Sequence, residues 1–173
     1  YEPTGGTWSM CYDRRAIAAY ADYIALMAYD QNGASSSRAG SVGDLPWVEN
    51  ALKKTLEEVP AEKIILGVPF YTRVWQSKNG AVVKTSAVGM TTAMNQINEA
   101  GAEIVYDDAT GQNYATWQSG GVTFEVWLED ATSMRARIAL VEKYGLAGIA
   151  SWSKGFENNA IWDVIASALT NGE

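Results

Sequence analysis

The sequence describes an α/β chain in which three short apolar strands are each followed by a helix, with a small α+β insertion between the second and third strand. Residues 23–29, 64–68 and 147–152 are nearly continuous apolar runs, the texture of parallel strands buried on both faces. Between residues 75 and 128 that texture disappears and short alternating stretches replace it. Length supplies the third observation. The chain has 173 residues; without the insertion about 120 remain, whereas a closed eight-stranded βα barrel takes about 250. It is therefore either a small open α/β domain or the C-terminal part of a larger barrel. Its expected divisions are a first part (1–74), the insertion (75–128) and a last part (129–173).

Asp13 is placed to cap a short helix through Ala16, Ile17 and Tyr20, ahead of the first strand. A polar loop with Gly33, Gly40 and Gly43 follows. Leu45, Val48, Leu52, Leu56 and Val59 then recur at helical spacing, with Pro46 in the first turn and Pro60 as the stop. The strand at 64–68 completes a βαβ unit, whose crossover is right-handed. Within the insertion, Met90, Met94 and Ile97 mark a helix closed by Gly101, and residues 104–106, 114–117 and 122–127 alternate like antiparallel strands. Asp108-Ala-Thr-Gly111 has the composition of a hairpin turn. Asp130 caps a helix that carries Met134, Ile138 and Val141 and ends at Gly145. After the third strand, Asn158 or Asn159 caps the last helix, with Ile161, Trp162, Ile165 and Leu169 on its buried face.

The chain contains no histidine, which excludes Ser-His-Asp and Cys-His hydrolases, His-ligated zinc and imidazole acid–base chemistry. A net charge of -7 argues against nucleic acid or an anionic membrane surface as a partner. No apolar run approaches the ~20 residues of a membrane span. Walker, dinucleotide and zinc spacings are absent, so neither a cofactor nor a metal is expected. Cys11 is the single cysteine and reads as a buried structural thiol. Seven Trp and nine Tyr outnumber three Phe. These rings pack and also hydrogen-bond, which suits stacking on the C–H faces of sugars. The chain begins at Tyr1 with neither an initiator Met nor a signal-like segment, and is expected to be a processed or excised piece.

Ligands of parallel α/β folds bind at the C-terminal ends of the strands. Those ends carry Tyr29 and Asp30, then Tyr71 and Arg73, then Trp152. A phenol, a carboxylate, a guanidinium and an indole on one rim can hydrogen-bond a polar ligand and stack on its flat face. Each also has an ordinary reading: a loop or cap carboxylate for Asp30, a surface charge for Arg73, strand-end core for Trp152. Asp107-Asp108 and Glu129-Asp130 could be acid pairs, but they fall in a turn and at a helix start, where acids are locally favourable.

Leu26-Met-Ala-Tyr-Asp30, Ile65-Leu-Gly-Val-Pro-Phe-Tyr-Thr-Arg73, Val126-Trp-Leu-Glu-Asp130 and Gly148-Ile-Ala-Ser-Trp152, in this order and spacing, resemble the C-terminal half of glycoside hydrolase family 18. That family contains chitinases and related N-acetylglucosaminidases. The segment from Asp44 to Pro60, with Phe70-Tyr-Thr-Arg73, is most similar to the branch of bacterial spore-cortex and cell-wall hydrolases. The resemblance runs over essentially the whole chain. It implies a partial TIM barrel, three βα units resembling strands 6 to 8, with the insertion after the seventh.

The resemblance also implies hydrolysis of β-linked N-acetylglucosamine polymers, peptidoglycan or chitin. The sugar's own N-acetyl oxygen attacks its anomeric carbon, and configuration is retained. On that footing Tyr29 is catalytic, Asp30 and Arg73 hold sugar hydroxyls, Tyr71 lines the cleft and Trp152 forms its floor, while Trp127 and Glu129 contribute from the insertion side. The family's general acid, the Glu closing an Asp-x-x-Asp-x-Asp-x-Glu motif, has no counterpart here and is expected upstream of Tyr1. The chain alone is thus expected to be inactive. Its expected partners are an N-acetylglucosamine-containing polysaccharide, the N-terminal half of the barrel and, for the isolated fragment, a second copy in a homodimer. Export to a cell wall or spore envelope is the expected location. The alternative is a noncatalytic carbohydrate-binding module that keeps the cleft.

Overall fold

The computed structural model describes residues 12–170, so Cys11 lies outside the described residues. The chain is mixed α/β and builds two sheets. Strands β1 (Ile24–Leu26), β2 (Ile64–Pro69) and β8 (Gly148–Trp152) form a parallel sheet in the order β1-β2-β8. Strands β3 (Tyr71–Lys78), β4 (Ala81–Gly89), β5 (Ile104–Asp107), β6 (Gln112–Ser119) and β7 (Val122–Trp127) form an antiparallel sheet in the order β4-β3-β7-β6-β5. The helices are α1 (Arg14–Tyr20), α2 (Leu45–Leu56), α3 (Met90–Ala100), α4 (Ala131–Tyr144) and α5 (Ala160–Thr170).

The helix ends follow the local chemistry of the sequence. Asp13 and Asp44 accept from the backbone N–H of Ala16 and Trp47, at 2.9 and 2.7 Å. Asp130 and Ser133 form a reciprocal capping box at the start of α4. Gly101 and Gly145 close α3 and α4 in the left-handed region, at φ 61° and 63°. Of the two asparagines before α5, Asn158 is the one whose Oδ1 accepts from Ile161 N, at 3.0 Å.

The first strand departs from expectation. Instead of a run over residues 23–29 buried on both faces, β1 holds three residues, and Tyr23 and Met27 beside it are 61% and 69% exposed. The physical reason is its place in the sheet: β1 pairs with β2 alone, so its outer flank has no neighbour among the described residues. Only β2, with a strand on each side, is buried almost throughout. The hairpin of β3 and β4 was also not anticipated. Asn79 and Gly80 turn it with φ 52° and 78°, the positive pair that an Asn-Gly turn supplies.

Helices α2, α4 and α5 cover one face of the parallel sheet, packing Val48, Leu52, Met134, Ile138 and Ile161 against Leu66 and Val68. Each such side chain contributes on the order of 1.5–3 kcal/mol by leaving water. Alternation along β2 turns Ile65, Gly67 and Pro69 to the other face, and register puts Ala150 opposite Gly67 and Trp152 opposite Pro69. In the antiparallel sheet, Ala93 and Ile97 of α3 cover Val74, Ala115 and Val126. Beside the open flank of β1 lies a groove of about 670 Å³, lined by Tyr12, Ile17, Tyr23, Leu26, Met27 and Trp47 among others.

Across their solvent side, α2 and α4 are joined by Glu49, which accepts from Lys143 Nζ and from the Tyr144 hydroxyl, both at 2.7 Å. These donors, Lys143 first, pull the Glu49 carboxyl from its ordinary 4.5 down to about 2. A carboxyl that titrates lower when folded than when unfolded contributes stability above its unfolded pKa and loses it as pH falls toward the folded one. Glu49→Gln is therefore expected to be less stable than the wild type in urea melts at neutral pH. The gap should close between about pH 4.5 and pH 2, and a gap unchanged by acid would show that charge is not its source.

Candidate functional site

Three strand ends bring the site together. Past β1 the chain runs through Ala28 and Tyr29 to Asp30, which takes φ 61°, a left-handed conformation that Asp tolerates better than most residues. A loop then returns to the N-terminus of α2, with Gln31 N donating to Val42 O at 2.8 Å and Gln31 Nε2 to Asp44 Oδ2 at 2.6 Å. From β2 the backbone passes through Phe70 directly into β3, which places Tyr71 and Arg73 on the same rim. The third end is Trp152, at the close of β8.

The Tyr71 hydroxyl donates to Asp30 Oδ1 at 2.6 Å. The Tyr29 and Tyr71 rings meet edge to face, with centroids 6.3 Å apart. Gly67 makes this approach possible, because a Cβ there would meet Leu26 O at 2.6 Å and Tyr29 Cε1 at 3.1 Å. Trp152 is 57% exposed and leaves the sheet on the face opposite the helices. Burial, and after it the charge of Asp30, raises the Tyr29 phenol above its ordinary value. Burial, then the hydrogen bond to Asp30, raises Tyr71 against the opposing charge of Arg73. Both phenols are consequently protonated in neutral water. Arg73 Nε is buried and finds no acceptor among the described residues.

Trp127 and Glu129 are engaged elsewhere. Trp75 and Glu125 are register partners, and Arg73 and Trp127 each lie two residues further along, so these two share a face of the antiparallel sheet. The Trp127 indole N–H donates to Asp107 Oδ2 at 3.0 Å, and its ring sits 4.8 Å from that of Tyr114. Burial acts to raise the Asp107 carboxyl, but donors from Trp127, Thr110 and Ala109 outweigh it and hold it below the ordinary carboxylate range. Glu129 is fully buried in an ion pair with Arg137, Nη2 to Oε1 at 2.5 Å, and also accepts from Ser133 Oγ and Gln112 Nε2, each at 2.9 Å. Burial pushes its carboxyl up, and the Arg137 charge opposes that shift.

The structure thus gathers Tyr29, Asp30, Tyr71 and Arg73 at one rim, sets Trp152 at the end of the neighbouring strand and Trp127 on the Arg73 face, and keeps Glu129 in the interior. Sequence reasoning passed over Asp107, treated as a turn residue, and Arg137. Asp107 is the last residue of β5 and not part of the turn, although Ala109 N and Thr110 Oγ1 of the turn that follows bond its carboxylate alongside Trp127. Arg137 had a signal: it lies on the stripe of Met134, Ile138 and Val141, where an arginine must find a buried partner. Among the described residues no group of three or more His, Cys, Asp or Glu side chains is arranged to hold a metal ion. None of their helices is long and apolar enough to cross a membrane.

The chain is similar to an uncharacterized glycosylase of Bacillus subtilis, YvbX, at 27% identity over 91% of this chain and 45% of that protein. Among solved structures it is similar to a chitinase of Chromobacterium violaceum, with 31% identity, a TM-score of 0.81, and coverage of 91% of this chain and 49% of the other. The Bacillus megaterium spore cortex-lytic enzyme SleL superposes with a TM-score of 0.84 at 25% identity, over 97% of this chain and 38% of that one. The chain therefore spans about half or less of the length of each of these relatives. The profile of Glycosyl hydrolases family 18 matches residues 2–157, and the chain belongs to that family.

Proposed function

We propose that the chain is the C-terminal part of a glycoside hydrolase that cleaves β-linked N-acetylglucosamine polymers, peptidoglycan or chitin, at a spore envelope or cell wall. The observation that carries this reading is the rim where Tyr29, Asp30, Tyr71 and Arg73 meet beside the exposed indole of Trp152. In this reading the parallel sheet is three adjacent strands of a TIM barrel, the sixth to the eighth, and the segment at 75–128 is an insertion between the parts at 1–74 and 129–173.

Tyr29, a neutral phenol, hydrogen-bonds the acetamido group and holds its oxygen toward the anomeric carbon as the oxazolinium-like intermediate forms. Asp30, oriented by Tyr71, binds sugar hydroxyls together with the unpartnered Nε of Arg73. Trp152 stacks beneath the reacting ring, Trp127 flanks it, and Glu129 supports that wall from inside. The proton for the leaving oxygen comes from a Glu in the remainder of the parent protein, because these 173 residues contain no Asp-x-x-Asp-x-Asp-x-Glu motif.

In the full-length parent protein, Tyr29→Phe is expected to lower kcat by roughly 10²-fold with little change in KM, since the hydroxyl holds the acetamido group in the geometry of attack. Trp152→Ala should instead raise KM. Normal kinetics in both variants would remove the proposed cleft, and a parent protein that binds the polymer without cleaving it would make the chain part of a binding module. The isolated 173-residue chain should show negligible turnover of a chromogenic N-acetylglucosaminide, because loss of a general acid typically costs 10²- to 10⁴-fold. We further propose that the isolated chain dimerises through the open edges of β1 and β8. Sedimentation over a concentration series should detect this, and a monomer at every concentration would refute it.

A further inference from the structure

Trp127 is held more firmly than its place on β7 requires. Its indole N–H is tied to Asp107 on β5, at 3.0 Å, while its ring packs on Tyr114 of β6, at 4.8 Å. Tyr114 is itself anchored, its hydroxyl donating to Glu125 Oε1 at 3.0 Å, and burial first of all pushes that phenol up to about 12, so the donor persists in any ordinary buffer. Asp107 cannot swing away, because Thr110 Oγ1 shares its Oδ2 at 2.9 Å and Ala109 N bonds its Oδ1 at 3.1 Å. A half-buried indole on the Arg73 face is therefore fixed from the adjacent strand β6 and from β5 beyond it before any ligand arrives. An aromatic side chain that is already immobile loses no rotamer freedom when a sugar stacks on it.

We infer that Asp107 is a positioning residue for saccharide binding, fixing the Trp127 indole as a preformed stacking wall for a sugar ring lying along the Arg73 face of the antiparallel sheet. This rests on the cleft proposed above. Asp107 does not touch the reacting atoms; it acts through Trp127. The effect therefore belongs to binding and not to the chemical step. It should grow with oligosaccharide length as rings beyond the reacting one come to lie on that face.

The test uses the full-length parent protein and N-acetylglucosamine oligomers of increasing length. Asp107→Ala is expected to raise KM for the longer oligomers roughly three- to tenfold with kcat retained. Asp107→Asn, which keeps an acceptor oxygen, should stay near the wild type. Trp127→Phe keeps a ring and removes the N–H, so on that background Asp107→Ala should add nothing further. Thermal melts of each variant show whether it is folded, and the Trp127→Phe pair decides the matter even if Asp107→Ala is less stable. Additive effects in the double variant, or an unchanged KM in Asp107→Ala, would overturn the inference. If Tyr29→Phe and Trp152→Ala are impaired while Asp107→Ala is normal, the inference alone falls; if all three are normal, the cleft falls with it.

Discussion

The buried pair of Arg137 and Glu129 is the constraint on which the rest of the molecule depends. Glu129 follows the last strand of the antiparallel sheet, Arg137 sits on α4, and Arg137 Nη2 reaches across to Gly43 O at 2.6 Å, in the loop that begins just after Asp30. Gln112 and Ser41 extend the network, the amide donating to Glu129 and to Leu128 O while its oxygen accepts from the Ser41 hydroxyl. One cluster thereby ties the end of the antiparallel sheet, the helix behind the parallel sheet and the loop that follows Asp30. Arg137 is paired through Nε and Nη2, while its buried Nη1 has no acceptor among the described residues, and stranding either charge of such a pair generally costs about 3–5 kcal/mol. A domain's whole net stability is on the order of 5–15 kcal/mol.

The parallel sheet is asymmetric in a way that explains where the proposed site lies. Leu66 and Val68 face the helices and are completely buried, while the alternate residues Ile65, Gly67 and Pro69 turn to the other side with Trp152. Gly67, the smallest of these, leaves room for the Tyr29 ring. The same alternation that builds the core thus delivers aromatic groups to the opposite face, and Tyr71 and Arg73 arrive there because the chain does not turn back after β2 but continues into a second sheet.

Most of the fold was legible in the sequence because its signals are local. Asp13 and Asp130 cap helices where a short acceptor precedes an apolar stripe, and Gly101 and Gly145 end them where a left-handed residue is needed. The β3–β4 hairpin was equally local, its Asn79-Gly80 pair simply unread. What could not be read depended on long-range partners. The length of β1 is set by whether a strand lies beside it. The burial of Glu129 is set by an arginine eight residues away on the next helix and by a glutamine across the sheet. The tie between Asp107 and Trp127 joins residues twenty apart across the β5–β6–β7 meander, and no spacing rule announces such a contact.

The loop after Trp152 makes a second attachment. Phe156 O accepts from Met90 N at 2.8 Å, and the backbone there comes so near that a Cβ on Gly89 would lie 2.7 Å from that oxygen. The Phe156 ring also stands 6.4 Å from Tyr71. The antiparallel sheet and α3 are therefore not a detachable module hung from two points of the chain. A chimera that grafts this unit from a relative would have to import the short stretch around residue 156 as well, or the graft would meet a surface shaped for a different guest.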